Sequence, residues 1–176
     1  MNFQFYYEKL VDSSEYKNFV KKNPKAYPCS SLFILDRETG GKGNSVHFDF
    51  WLPKEKKMNS FKVGEEIQFS EVENFDSRPF EEISVEHDFS FEDIEKHIQE
   101  RMLKEGVKGR IQKILFSLQK LNGKEFLVIT VFLNNLGLLK VTFSLDEMKI
   151  ILFEKKSLFD MMKIFKGKGN KEEKKG

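Results

Sequence analysis

Two stretches of this chain alternate apolar and polar side chains with a period of two, and that period constrains the fold more than anything else. Val46, Phe48, Phe50 and Leu52 alternate with His47, Asp49 and Trp51, and Leu139, Val141, Phe143 and Leu145 alternate with Lys140, Thr142 and Ser144. Successive side chains of a β-strand point to opposite faces, so each run predicts a strand with one buried and one wetter face. Strands of this kind belong in antiparallel sheets that are covered on one side. Asn122-Gly123 lies between the apolar-rich runs 110–121 and 124–133. Asn-Gly is the dipeptide best suited to the two positive-φ positions of a tight hairpin turn. Residues 126–133 are apolar at nearly every position, which predicts a central strand covered on both faces.

What fills the buried faces is phenylalanine, with 19 Phe against 4 Tyr and 1 Trp in 176 residues. Phe buries a large apolar area and carries no polar handle, so this is material for packing. Further strands are expected at 31–36, 59–63, 66–72 and 149–154. A first helix is expected from Asp12 as N-cap, with Glu15 in its first turn, Tyr16, Phe19 and Val20 on its apolar face, and Pro24 stopping it. A second should open at Ser90, with Glu92 and Asp93 in its first turn and Phe91, Ile94, Ile98 and Met102 on one face, and close at Gly106. A last helix is expected from Ser157, with Leu158, Met161, Met162 and Phe165 on one face.

These elements predict an α+β fold of two helix-then-antiparallel-meander units, their helices on one face of the sheets and the sheet possible to share. The expected units are residues 1–75 and 89–167, joined by an acidic connector at 76–88 and followed by a disordered Lys-rich tail at 168–176. Residues 65–95 hold twelve acids and one base, Arg78. Within the second unit, the opening Ser90-Phe91-Glu92-Asp93, the Asn-Gly hairpin and the strand-turn-strand from Val141 to Ile150 resemble the small PepSY and cystatin-like domains over about residues 89–156. Asp146 stands where PepSY-type units carry an Asp-centred turn, although the usual Gly of that turn is absent. The resemblance implies a binding or inhibitory module without catalytic residues, and it transfers no site residue to this chain.

Charge narrows the partners. The net charge is +2, but residues 155–176 alone carry eight Lys and three acids, so the body at 1–154 is about −3. That body argues against a nucleic-acid surface. No apolar run reaches the roughly 20 residues of a membrane span, and Gln4, Tyr6, Glu8 and Lys9 interrupt any signal-peptide core. The single Cys29 has no internal partner, which fits a reducing, cytoplasmic setting.

Candidate chemistry is sparse. Cys29 with His47, His87 and His97 gives no metal-ligand spacing, so neither metal nor cofactor is expected. Gly40-Gly41-Lys42-Gly43-Asn44-Ser45 lacks phosphate-loop spacing and precedes a strand pattern, so it reads as a hairpin loop. Cys29 at the start of an apolar run reads as a small buried hydrophobe ahead of a nucleophile. His47, Asp49 and Trp51 share the wetter face of their strand and form the candidate ligand or partner patch; a covering loop over Trp51 is the plainer alternative. Lys163, Lys166, Lys168 and Lys171 follow or flank an apolar helical face and are the candidate contacts to a membrane or other anionic surface. The expected function is a non-enzymatic binding module for another protein or peptide. The alternatives are a peripheral membrane- or nucleic-acid-associating protein using the basic tail, and an enzyme with a dispersed site near His47 and Asp49.

Overall fold

The structure, a computed structural model, describes residues 2–72, 79–87 and 89–157. Its described elements run α1 (Phe3–Asp12), α2 (Ser14–Lys22), β1 (Tyr27–Asp36), β2 (Ser45–Leu52), β3 (Lys57–Val63), β4 (Ile67–Val72), α3 (Phe91–Lys104), β5 (Ile111–Leu121), β6 (Lys124–Leu133), β7 (Gly137–Ser144) and β8 (Lys149–Ser157). The fold is α+β: the eight strands form a single sheet in the order β4-β3-β2-β1-β5-β6-β7-β8, and every neighbouring pair is antiparallel.

Register sorts the side chains into two faces. Phe33 lies opposite Val46 and Phe116, Phe48 opposite Phe61, and Ile129 opposite Val141. These residues carry the helices. Phe3 of α1 packs on Phe33 and Phe48, Phe19 of α2 on Phe50 and Phe61, and Phe91 of α3 on Phe33 and Phe116. One continuous apolar core results. Each fully buried Phe in it contributes roughly 1.5–3 kcal/mol by leaving water.

The hairpin forms as its dipeptide requires, with Asn122 at φ 52° and Gly123 at φ 76°. Ser90 caps α3 by accepting from the Asp93 N–H, and the face Phe91, Ile94, Ile98 and Met102 is buried. Three expectations need correction. Asp12 does not cap a helix: it ends α1, an element the alternation reading passes over. Ser13 accepts from the Tyr16 N–H and donates to the Leu10 carbonyl at 2.6 Å, so one hydroxyl closes α1 and opens α2. Strand β6 is not covered on both faces, because Val128 is 42% exposed on the face away from the helices. Ser157, expected to start a helix, ends strand β8; the rest of that expected helix and the Lys-rich tail lie outside the described residues.

Candidate functional site

The helices occupy one face of the sheet, and the opposite face defines the candidate site. Its rows follow from the register. Leu32 stands opposite His47 and Ser117, and Ile34 opposite Ser45 and Leu115. Leu115 continues to Thr130, Lys113 to Phe132, and Ser117 to Val128. Val128 continues to Thr142 and that to Leu152, while Phe132 meets Leu138. Leu32, Ile34, Leu115 and Phe132 are half-buried, and Val128 and Leu152 are exposed. Apolar side chains thus persist across β1, β5, β6, β7 and β8 on the side away from the described helices, with Lys113 and Lys140 set among them. The β2–β3 end of the same face is polar: His47 faces Lys62, and Asp49 faces Ser60.

His47, Asp49 and Trp51 come together on this face, as their spacing implies, but in different states. Asp49 accepts a hydrogen bond from the Ser30 hydroxyl at 2.5 Å. His47 is half-buried, and burial lowers its pKa below the ordinary imidazole value despite the nearby Asp49. Trp51 is only 2% exposed. It lies under Phe80, with ring centroids 5.8 Å apart at 67°. The indole is therefore covered by the connector, which leaves His47 and Asp49 as the accessible part of the patch.

The connector owes its position to side chains that the sequence reading did not single out. Glu81 accepts from the N–H groups of Asn122 and Gly123 at 2.7 and 2.9 Å. Tyr27 donates its hydroxyl to the Phe80 carbonyl, and Ile83 donates its N–H to the Pro28 carbonyl. Glu125 accepts from the Ser84 N–H. His87 lies with Nε2 3.1 Å from Glu125, off the hydrogen-bond direction, and edge-on to Phe3. Burial lowers the His87 pKa, the dominant influence, against the raising effect of Glu125. A signal for this clasp existed in the acidic run: Ile83 and Val85 break it, and the positive-φ turn presents two N–H groups that a carboxylate fits.

Cys29 sits at a β-bulge between Pro28 and Ser30, where burial pushes its thiol up to about 12. At that value the thiolate is scarce near neutrality, so Cys29 is poorly suited to nucleophilic work. Among the described residues, no group of three or more His, Cys, Asp or Glu is placed to hold a metal ion, and no helix is long and apolar enough to cross a membrane. Lys163, Lys166, Lys168 and Lys171 lie outside the described residues.

No family model matches this chain, and no curated protein matches it. Among solved structures, the chain is similar to a "putative lipoprotein" from Clostridium difficile 630 at 11% identity and a TM-score of 0.45, over 80% of this chain and 89% of that one. At that level the likeness carries no argument about function.

Proposed function

We propose that this protein is a non-enzymatic interaction module that docks another protein or peptide on the sheet face opposite its helices. The observation that supports this reading is the set of partly exposed apolar residues, Leu115 on β5, Val128 and Phe132 on β6 and Leu152 on β8, on one face. Partly exposed apolar residues gathered on one face and rimmed by polar groups are a feature of binding faces. The polar end at His47 and Asp49 would supply orientation at the rim. We further infer that the chain consists of two helix-and-meander halves, α1 to β4 and α3 to β8, joined along β1 and β5. The adjacency of β1 and β5 at the centre of the strand order is the support for it. The order of the second half, one helix then four strands, is also the order that the PepSY and cystatin-like resemblance implies.

The test compares full-length protein with a Val128→Lys/Leu152→Lys double variant, both immobilised, in quantitative affinity mass spectrometry from host lysate. A Lys104→Glu variant on α3, an exposed helical position, serves as the control. The reading expects a set of proteins held by the wild type and the control and released by the double variant, and held still at 0.5 M salt. Identical sets for all three proteins overturn it, as does a set lost entirely at high salt, which would make the contact ionic.

A further inference from the structure

A cleft of about 370 Å³ opens on the helix side of the sheet, at the edge away from α3, between α2 and strands β3 and β4. Phe19 and Phe69 form one wall, Asn59 lies at its base, and Glu15, Glu55 and Glu71 stand among its lining residues with Lys22 and Lys57. Its position follows from register. Phe61 pairs with Phe69 and Asn59 with Glu71, so an edge ring and an edge carboxylate both face the helix side. Phe69 is 47% exposed even though its ring contacts Phe19 at 5.9 Å and Phe61 at 5.2 Å.

Three features of this cleft bear on what it could hold. Asn59 is only 3% exposed, yet its Oδ1 has no hydrogen-bond partner among the described residues. An unpaired buried acceptor costs roughly 1–3 kcal/mol, so it stands in want of a donor. The exposed Phe69 ring offers a π face beside carboxylates, the surroundings that attract an organic cation. Finally, the cleft already gathers an ammonium at its rim. Lys57 Nζ lies 2.8 Å from Glu55 and 3.2 Å from Glu71. The carbonyl end of α2 faces the same region through Lys22 and Asn23, where the Lys22 ammonium offsets the partial negative charge of the helix end.

We propose that this cleft is a binding site for a small organic ammonium, a primary amine with a compact apolar body. The body would lie against Phe19 and Phe69. The N–H donors would meet the Glu71 carboxylate, and a turn of the Asn59 side chain would bring its buried amide oxygen to them. The site is separate from the open sheet face and depends on nothing in the docking reading. A volume near 370 Å³ suits a ligand at the small end of the usual range for pockets, roughly 300–1,000 Å³.

The experiment titrates ¹⁵N-labelled full-length protein with benzylammonium and, separately, with benzyl alcohol, an uncharged body of the same shape. Expected is saturable movement of the Asn59 side-chain amide and the Phe69 and Glu71 backbone signals, with a midpoint in the millimolar range or below and at least about tenfold lower for the ammonium, a tenfold ratio being one 1.4 kcal/mol step. Phe69→Ala, at an exposed position that should leave the fold intact, should raise the midpoint severalfold. Lys57→Met should lower it, because it removes the internal ammonium that competes for Glu55 and Glu71. Equal midpoints for the two probes overturn the proposal. So do shifts that map elsewhere, no saturable shift from either probe, or folded Phe69→Ala and Lys57→Met proteins that titrate as the wild type does.

Discussion

Phe33 is the residue at which the fold should be most sensitive. It lies on β1, beside both β2 and β5, fully buried. Its ring meets Phe3 at 5.6 Å, Tyr6 at 6.2 Å, Phe48 at 5.7 Å and Phe91 at 4.4 Å. Two helices and the neighbouring strand therefore converge on one side chain. Phe→Ala in a core costs about 3–5 kcal/mol through lost transfer and the cavity left behind. Aromatic pairs add about 0.5–1.5 kcal/mol each beyond area, not additively, which places Phe33→Ala near the top of that range. With a urea m-value of about 2 kcal/mol/M, a loss of about 4 kcal/mol lowers the unfolding midpoint by about 2 M. The same truncation at the half-exposed Phe69 should lower it by less than about 0.5 M. Urea unfolding followed by Trp51 fluorescence and by far-ultraviolet circular dichroism measures both. Phe33→Leu, costing about 1 kcal/mol, keeps the test readable if the Ala variant is unfolded without urea. Because Phe33 touches elements from both halves of the chain, the two probes should give one coincident transition. Equal losses at Phe33 and Phe69, or separate transitions for the two probes, would refute the reasoning.

Other outcomes follow from particular contacts. A Cβ at Gly43 would lie 2.4 Å from Asp36 Oδ2, and that carboxylate is held by the Glu38 and Thr39 N–H groups and by Lys113. Gly43→Ala should therefore destabilise by about 1–3 kcal/mol in thermal or urea unfolding, a cost of overpacking a site that cannot give way. Phe80→Ala should uncover Trp51 and shift its emission to the red with little loss of helix or strand signal; an unchanged spectrum would mean the indole is covered by something else. His87 has a folded-state pKa below its unfolded value, so the unfolded chain binds the extra proton first. Stability should then be full above the unfolded value of about 6.5 and fall as pH drops through the window beneath it. His47 acts in the same direction. Thermal unfolding between pH 7.5 and 5 should show a shallower slope for His87→Gln than for the wild type, and equal slopes would exclude His87 as a contributor. The buried Cys29 thiol should react with a thiol reagent only at the rate of unfolding, in native buffer against urea.

The local periods of the chain determined the strands and α3. Strict alternation at 46–52 and 139–145 leaves one face apolar whatever lies next to it, and Asn122-Gly123 holds two positive-φ positions by its own chemistry. Helix α1 is not read from the sequence, because the dense aromatic and charged mixture of that segment masks the spacing of Phe3, Tyr6, Tyr7 and Leu10. Tertiary structure decided the rest, because no local pattern reports what a face will meet. It brought β1 against β5 across some 80 residues, left the apolar 126–133 run open on one side, and laid the connector over Trp51. The cleft at Asn59 belongs to the same class. An Asn in a strand has no sequence signature of being unpaired, and the carboxylates and rings around it come from α2, the β2–β3 turn and β4, assembled only when the sheet edge and a short helix meet.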